Sequence, residues 1–488
     1  MNLAAPAHQG QKRDRSAGFF RQVAPSASGR LDSGRWREGS GRTQSYWPFL
    51  ACALLLEACL LSLHGFDAPR VPVIPFVLIL LGAFAAYAVA LFLLFRKASS
   101  PAALPMPLVL GCALLFRITV LPIPSIWDDD LYRYRWDGRV GLHGVNPYLY
   151  APEAPELEAL QDDDYDLVSF KAVRTVYPPL LQFLFQGSQW AAPSSLIFLK
   201  SLALVFELAL MAVLLSLLRE LGYPSSWILI YAWNPLPVKE FANSGHLDSL
   251  VLFLLFLALR YLLKGRALAA HLVLGLSVLA KLFSGLALPF FLFYVSRRGR
   301  KLLFSSLATF LAVVWLGYAP FLEAHFRLFE GLSIYSRYWT FNAGPYALMA
   351  GALRATGWDQ WWMVRALALV CLGVVLIRQL FTCRPGNLSL LKAVFSSLAT
   401  LVILSPAVQP WYVCWLVPFL VFFPSPPWVA FSGLAVLSYL FYLNFAEMAW
   451  PRAIEFGLPA ILAVWTWTRN ETASGRHSNL EIQLKEAP

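Results

Sequence analysis

The chain has 488 residues, 58% hydrophobic and only 14% charged, where soluble domains carry about 25% charged residues. A soluble domain is excluded, because repeated apolar runs of about 18 residues or more read as transmembrane helices. The formal charge of +11 is what basic cytoplasmic loops give a multi-pass protein, so it does not call for nucleic acid. None of the cysteines, Cys52, Cys59, Cys112, Cys371, Cys383 and Cys414, lies in a long polar loop, so no disulfide framework is implied.

Residues 1–45 hold eight Lys/Arg against three acids and no apolar h-region. They read as a disordered basic tail held in the cytoplasm rather than a cleaved signal peptide. Residues 46–124 contain the first three spans, at 46–64, 71–95 and 103–122. With the N-terminus inside, residue 123 lies outside.

Residues 125–195 form the most polar region of the chain. Its first part, 125–177, carries eleven acids and five Lys/Arg, which suits the outer face. Asp128, Asp129 and Asp130 follow directly on an apolar run, and Tyr132-Arg133-Tyr134-Arg135 follows them. A plain loop between two helices explains the polarity. It does not explain carboxylates placed where the bilayer meets water, beside guanidinium and phenol groups. The run 178–192 is short and interrupted by Gln182, Gln186 and Gln189. It reads as an interfacial helix, since a crossing here would put the later basic loops outside.

The remaining bundle, 196–468, has spans at 196–218, 225–239, 246–263, 267–281, 284–296, 301–320, 361–380, 389–405, 410–423, 427–446 and 453–468. An outer loop covers 321–360, and 469–488 is a cytoplasmic tail. The expected fold is an all-α polytopic bundle of 12 to 14 spans. Its polar clusters gather on the outer face: the acid loop, Lys239–Asp248, the 321–360 loop and Ser405–Tyr412.

Within the second cluster, Lys239 and Glu240 read either as snorkelling helix ends or as site residues. His246 and Asp248 lie two apart, off helical register, but in an unwound turn they could share a divalent metal. Lys281 has apolar neighbours on both sides, and a charge in a span is usually functional. It reads as a cation for a lipid phosphate or as a snorkelling side chain. Arg117 either pairs with Asp128–Asp130 or faces phosphate. Arg337 and Tyr338 suit either an interface belt or a sugar-phosphate site, and Ser405–Trp415 either a belt or a groove. No phosphate-binding Gly loop, dinucleotide fingerprint or Cys/His zinc spacing is present.

Five stretches in order resemble the GT-C superfamily of membrane glycosyltransferases, and most of all the bacterial polyprenol-phosphomannose-dependent mannosyltransferases. They are Asp129–Leu157, Val176–Leu180, Tyr231–Asp248, Leu279–Phe290 and Gln409–Leu420, spanning about 100–420. The resemblance implies an inverting transfer of a hexose, as in mannose transfer, from a polyprenyl-phosphate donor to a lipid or glycan acceptor. It also implies a site on the extracytoplasmic face of the bacterial inner membrane. Asp129 or Asp130 matches the catalytic base. Asp130 or Asp128 would orient sugar or acceptor, with Tyr134 and His246 among the binding groups. Lys281 and Arg337, with Lys239 or Arg133, would meet the leaving phosphate. No cofactor is required, with a divalent metal at His246 and Asp248 left open. The alternative is a transporter or flippase of a lipid-linked sugar, which needs a polar path at mid-bilayer.

Overall fold

A computed structural model describes residues 46–66, 71–96, 104–358, 360–383, 386–443 and 449–485, with side chains as far as 469. The tail expected over 1–45 lies outside the described residues. Those residues fold as helices without a strand, as expected. Lipid offers no partner for an open N–H or C=O, which leaves the helix as the economical spanning form here.

The chain enters through α1 (Trp47–Ser62), α2 (Val73–Arg96) and α3 (Met106–Val120). Among the described residues, five helices are long and apolar enough to cross a bilayer: Trp47–Gly65, Val73–Arg96, Leu196–Glu220, Arg300–Tyr338 and Trp361–Thr382. Counting the bent pair Pro235–Asn243 and Asp248–Leu263 makes a sixth. Five shorter apolar helices, among them α3, Ala267–Ala280 and Asn387–Ile403, occupy other expected spans. The expected 12 to 14 was thus a count of apolar runs, several of which form helices too short to cross alone.

The acid region is not a simple loop. It opens with α4 (Asp130–Leu142), and α5 (Pro179–Ala191) packs against it. The crossing is close at Gly138, where a Cβ would stand 2.3 Å from the carbonyl oxygen of Phe185. Between the two helices, the chain wraps a small core of Trp136, Val140, Leu157 and Val168. Arg135 holds this wrap through Asp164 at 2.5 Å, and Arg139 through the Leu160 carbonyl at 3.1 Å and Asp162.

The span α6 (Leu196–Glu220) is capped by Ser195, whose hydroxyl accepts from the Phe198 N–H at 3.2 Å. Beyond it the chain breaks. Asn234 caps a turn that contains Pro235 and Pro237, which cannot donate into a helix ladder. A π-helical stretch, Val238–Asn243, follows. Gly245 then takes φ +75°, where an added Cβ would also press on Leu131 at 2.8 Å. The two halves meet at a bend of 117°.

This break corrects the sequence reading. Lys239–Asp248 is not a surface cluster between two spans: Lys239, Glu240, His246 and Asp248 are all buried. Arg117 pairs with neither alternative expected for it. Its Nε donates to Glu207 at 2.8 Å and its Nη1 to the Ala232 carbonyl at 2.9 Å, deep in the bundle. Buried charges of this kind persist only when paired and hydrogen-bonded.

Candidate active site

Three elements converge on the acids: the exit of α3, the start of α4 and the break at 234–247. Asn243 joins the first to the last. Its Nδ2 donates to the carbonyls of Ile123 and Pro124 at 3.1 and 3.2 Å, and its Oδ1 accepts from Ile126 N–H at 3.1 Å. Ser125 donates to the Asn243 carbonyl at 3.2 Å. One buried amide thus satisfies a stretch of backbone that no helix ladder serves. At Trp127 the backbone turns through φ +53°, and its ring stacks on Tyr442 at 4.9 Å.

The three aspartates that follow have different surroundings. Asp128 turns inward. One of its oxygens lies 2.7 Å from His246 Nε2, and the other accepts from the Asp130 N–H at 3.1 Å. Burial pushes its carboxyl up, but the His246 charge and hydrogen bond, together with the Lys239 charge and the Asp130 N–H, outweigh that and hold it below the usual value. Asp130 is partly covered. Its Oδ2 accepts from the Tyr134 hydroxyl at 3.3 Å and lies 3.7 Å from His246 Nδ1. Burial, then the charge of Asp128, pushes its carboxyl up. The Tyr134 phenol is raised well above its ordinary value by burial and then by Asp130, so it stays a donor.

Asp129 faces out. Its side chain reaches solvent, and among the described residues its carboxylate bonds to no other residue. Protein mass behind it nevertheless strips part of its hydration. That loss, reinforced by Asp130 and Asp128, pushes its carboxyl up to about 7. Such a group is poised to take a proton near neutral pH.

Behind the acids, His246 stacks on Trp411 at 4.0 Å and lies 3.5 Å from Glu240 Oε2. Glu240 in turn accepts from the Tyr439 hydroxyl at 2.6 Å. Lys239 donates to Ser244 at 2.8 Å and to Tyr439, and it faces Glu240. It is enclosed by partners rather than open to a substrate. A second cluster lies alongside. Lys281 donates to Asp248 at 2.6 Å, and Asp248 also accepts from Trp415 Nε1 at 2.7 Å.

Several expected roles change here. His246 and Asp248 do not share partners: His246 meets Asp128 and Asp130, while Asp248 meets Lys281 and Trp415. Among the described residues, the group able to hold a divalent cation is Asp128, Asp130 and His246, whose ligand atoms lie within 4.8 Å of one another. Arg133 is a clamp. It pairs with Asp137 at 2.9 Å and donates to the carbonyls of Ser169, Phe170 and Val173. Arg337 and Tyr338 are exposed, with Arg337 over the rings of Tyr338 and Trp361. Tyr335, two residues earlier and on another face of that helix, is the one that meets Tyr412, at 2.6 Å between hydroxyls.

A family model of the alpha-(1->6)-mannopyranosyltransferase N-terminal domain matches residues 52–297, half of the chain. The chain belongs to this mannosyltransferase family. A second model, the MptB C-terminal domain, matches residues 349–469. No curated protein matches the chain. It is thus an integral-membrane mannosyltransferase of the GT-C type, as the five stretches implied. The family's N-terminal region supplies the acids and His246, and the C-terminal region adds Trp411, Trp415, Tyr439 and Tyr442.

Sequence reasoning passed over Asn243, Tyr439 and Tyr442. Asn243 stands in a polar run whose charged members drew the attention. The two tyrosines look like belt aromatics in SYLFYLNF. Replacing Asn243 by Ala should remove the backbone grip at a cost of about 1–3 kcal/mol. The variant should unfold at lower temperature than the native protein in the same detergent and turn over more slowly. Unchanged melting and turnover would show that the clamp does not hold the acids.

Proposed function

We propose that the protein transfers mannose from a polyprenyl-phosphate donor to an extracytoplasmic lipid or glycan acceptor, with inversion and with Asp129 as general base. The observation that carries this is the division among the acids. Asp128 is committed to His246 and Asp130 to Tyr134, while Asp129 alone is exposed and unengaged. A base needs hydrogen-bond reach of the proton it takes and a pKa near the working pH.

In this reaction the acceptor hydroxyl oxygen attacks the anomeric carbon. The bond from that carbon to the phosphate oxygen breaks, and its electron pair leaves with the phosphate. The hydroxyl proton passes to the Asp129 carboxylate and from there to water at the rim. One displacement on the face opposite the leaving group inverts the centre. Asp130, held by Tyr134, orients sugar or acceptor.

The leaving phosphate gains a negative charge and needs a fixed cation. Lys281 is the candidate supported best. Its ammonium is held by Asp248, itself fixed by Trp415, yet its side chain remains 17% exposed. Two of its three N–H donors stay available for phosphate. Asp128, Asp130 and His246 would hold a divalent cation if one serves here, adding positive charge beside the sugar. The steps above use only side chains. A transporter would need a polar path at mid-bilayer, whereas the deep pair Arg117 and Glu207 is closed on itself and the other polar groups named here gather around one break and one loop.

The proposal places residues 125–195 and the loop 321–360 outside a bacterial inner membrane and both tails inside. Single cysteines near Glu158 and near Arg298 test this with an impermeant thiol reagent. Intact cells should label the first site and spare the second, and the reverse pattern would invert the topology.

Asp129→Asn keeps size and removes proton acceptance. Transfer should fall about 100- to 10,000-fold while donor binding survives. Near-normal turnover in Asp129→Asn, Asp130→Asn and Asp128→Asn alike would remove the acids from the chemistry. Lys281→Gln should weaken donor use by about 1.5–3 kcal/mol, with the acceptor Michaelis constant little changed. An unchanged donor constant and turnover would rule Lys281 out as the phosphate cation.

A further inference from the structure

The apolar helix Leu282–Ser296 has a cation at each end, Lys281 before it and Arg297 after it. At 1.5 Å per residue, sixteen steps put their backbones about 24 Å apart along the axis. Lys281 belongs to the site described above, with Asp248 as its partner. Arg297 belongs to the far end and opens the run Arg297-Arg298-Gly299-Arg300-Lys301, all of it exposed. Neither 282–318 nor 361–382 contains an Asp or Glu that could neutralise this run. Glu220, on the neighbouring basic turn, is taken by Arg260 and Lys264.

Beside this basic end lies an apolar groove of about 580 Å³. Pro289 and Phe293 line one side of it, and Ile377, Leu380 and Phe381, from the helix Trp361–Thr382, line the other. Pro289, Phe293 and Arg297 are spaced four apart, so they form one stripe that runs from the groove to the cation. Contact agrees with spacing: the Arg297 guanidinium lies over the Phe293 ring at 4.7 Å. On the opposite helix, Arg378 follows Ile377 and is exposed. Ile377 and Phe381 are exposed too, so the groove opens sideways to lipid instead of closing as a core. Arg298 is turned elsewhere. It lies over Tyr294 at 5.1 Å and against Gly265, where a Cβ would stand 2.9 Å from its Nη1.

We propose that this groove binds an anionic phospholipid of the cytoplasmic leaflet, with an acyl chain between the two helices and the phosphate on Arg297. The choice of leaflet rests on the topology proposed above, and the transfer reaction is not needed. The site has the two parts that such a lipid requires. Its walls are apolar, and at its mouth a guanidinium offers a phosphate paired N–H donors. Basic pockets between membrane helices on the cytoplasmic side recognise anionic head groups in this way. A zwitterionic lipid brings its own cation and gains less from Arg297. The glycosyl donor does not explain the arrangement, because its phosphate belongs at Lys281 and its tail has no use for a cation.

The test titrates the full-length protein, purified in detergent, with dioleoyl phosphatidylglycerol or dioleoyl phosphatidylcholine and reads bound lipid by native mass spectrometry. The native protein should hold phosphatidylglycerol more tightly, and glycerol phosphate, a head group without a chain, should not displace it. Arg297→Gln should weaken phosphatidylglycerol roughly five- to ten-fold and leave phosphatidylcholine unmoved. Arg298→Gln should leave both unmoved, because that side chain faces away from the groove. Leu380→Trp fills the groove and should weaken both lipids, with an unchanged melting temperature showing that the fold survives. Equal affinity for the two lipids, equal losses from Arg297→Gln and Arg298→Gln, or displacement by glycerol phosphate would overturn the site in favour of diffuse surface charge. A Leu380→Trp variant that raises the donor KM yet still binds phosphatidylglycerol would overturn it in favour of the donor's tail.

Discussion

The 2.7 Å contact between Asp128 and His246 joins segments 118 residues apart, and neither group could stay buried without the other. Removing one partner of a buried polar pair typically costs about 3–5 kcal/mol, because the survivor keeps its desolvation penalty. The pair therefore fixes where the exit of α3 docks on the broken helix. Asn243 makes the same junction through the backbone, taking up carbonyls and an N–H that no helix ladder reaches. With Asp128 drawn inward, the chain must present Asp129 on the other side. The division of labour among three identical residues is thus a consequence of docking, not of their chemistry.

The same logic explains the polar interior. A bilayer-embedded bundle excludes water from its core, so each buried charge in it requires a partner. Arg117 has Glu207, Lys239 has Glu240 and Tyr439, and Lys281 has Asp248. The first two sets are closed networks. Lys281 differs in keeping 17% of its side chain exposed, and the proposed phosphate contact needs that openness.

Much of this was legible in the sequence, and the reason it was legible also marks where it stopped. Apolar runs announce spans because hydrocarbon demands them, and the acids stood out against such a background. Pro235 and Pro237 announced a break, but not its depth, since polarity alone cannot tell a surface turn from a buried one. Arg133 looked like a ligand for phosphate because a guanidinium serves backbone carbonyls and phosphates through the same donors. His246 and Asp248 were grouped by adjacency, whereas the π-helical stretch and Gly245 send them to different partners. For Arg117 the sequence offers the acids at 128–130 or a phosphate, and in space it meets Glu207 instead. Contacts between segments more than a hundred residues apart, such as Tyr439 with Glu240, carry no periodic signal.

On the proposed reaction, lost hydration and the charges of Asp130 and Asp128 suit Asp129 to act as a base at neutral pH. The most direct measurement is the pH dependence of kcat/KM for sugar transfer in the native protein and in Asp129→Asn. A carboxyl raised to about 7 is protonated and inert below that pH and ionised above it. The native rate should therefore climb with pH through a midpoint near 7 and then level off, and the small residual rate of Asp129→Asn should lack that limb. A midpoint near the ordinary carboxylate value of about 4, or the same limb persisting in Asp129→Asn, would contradict the account.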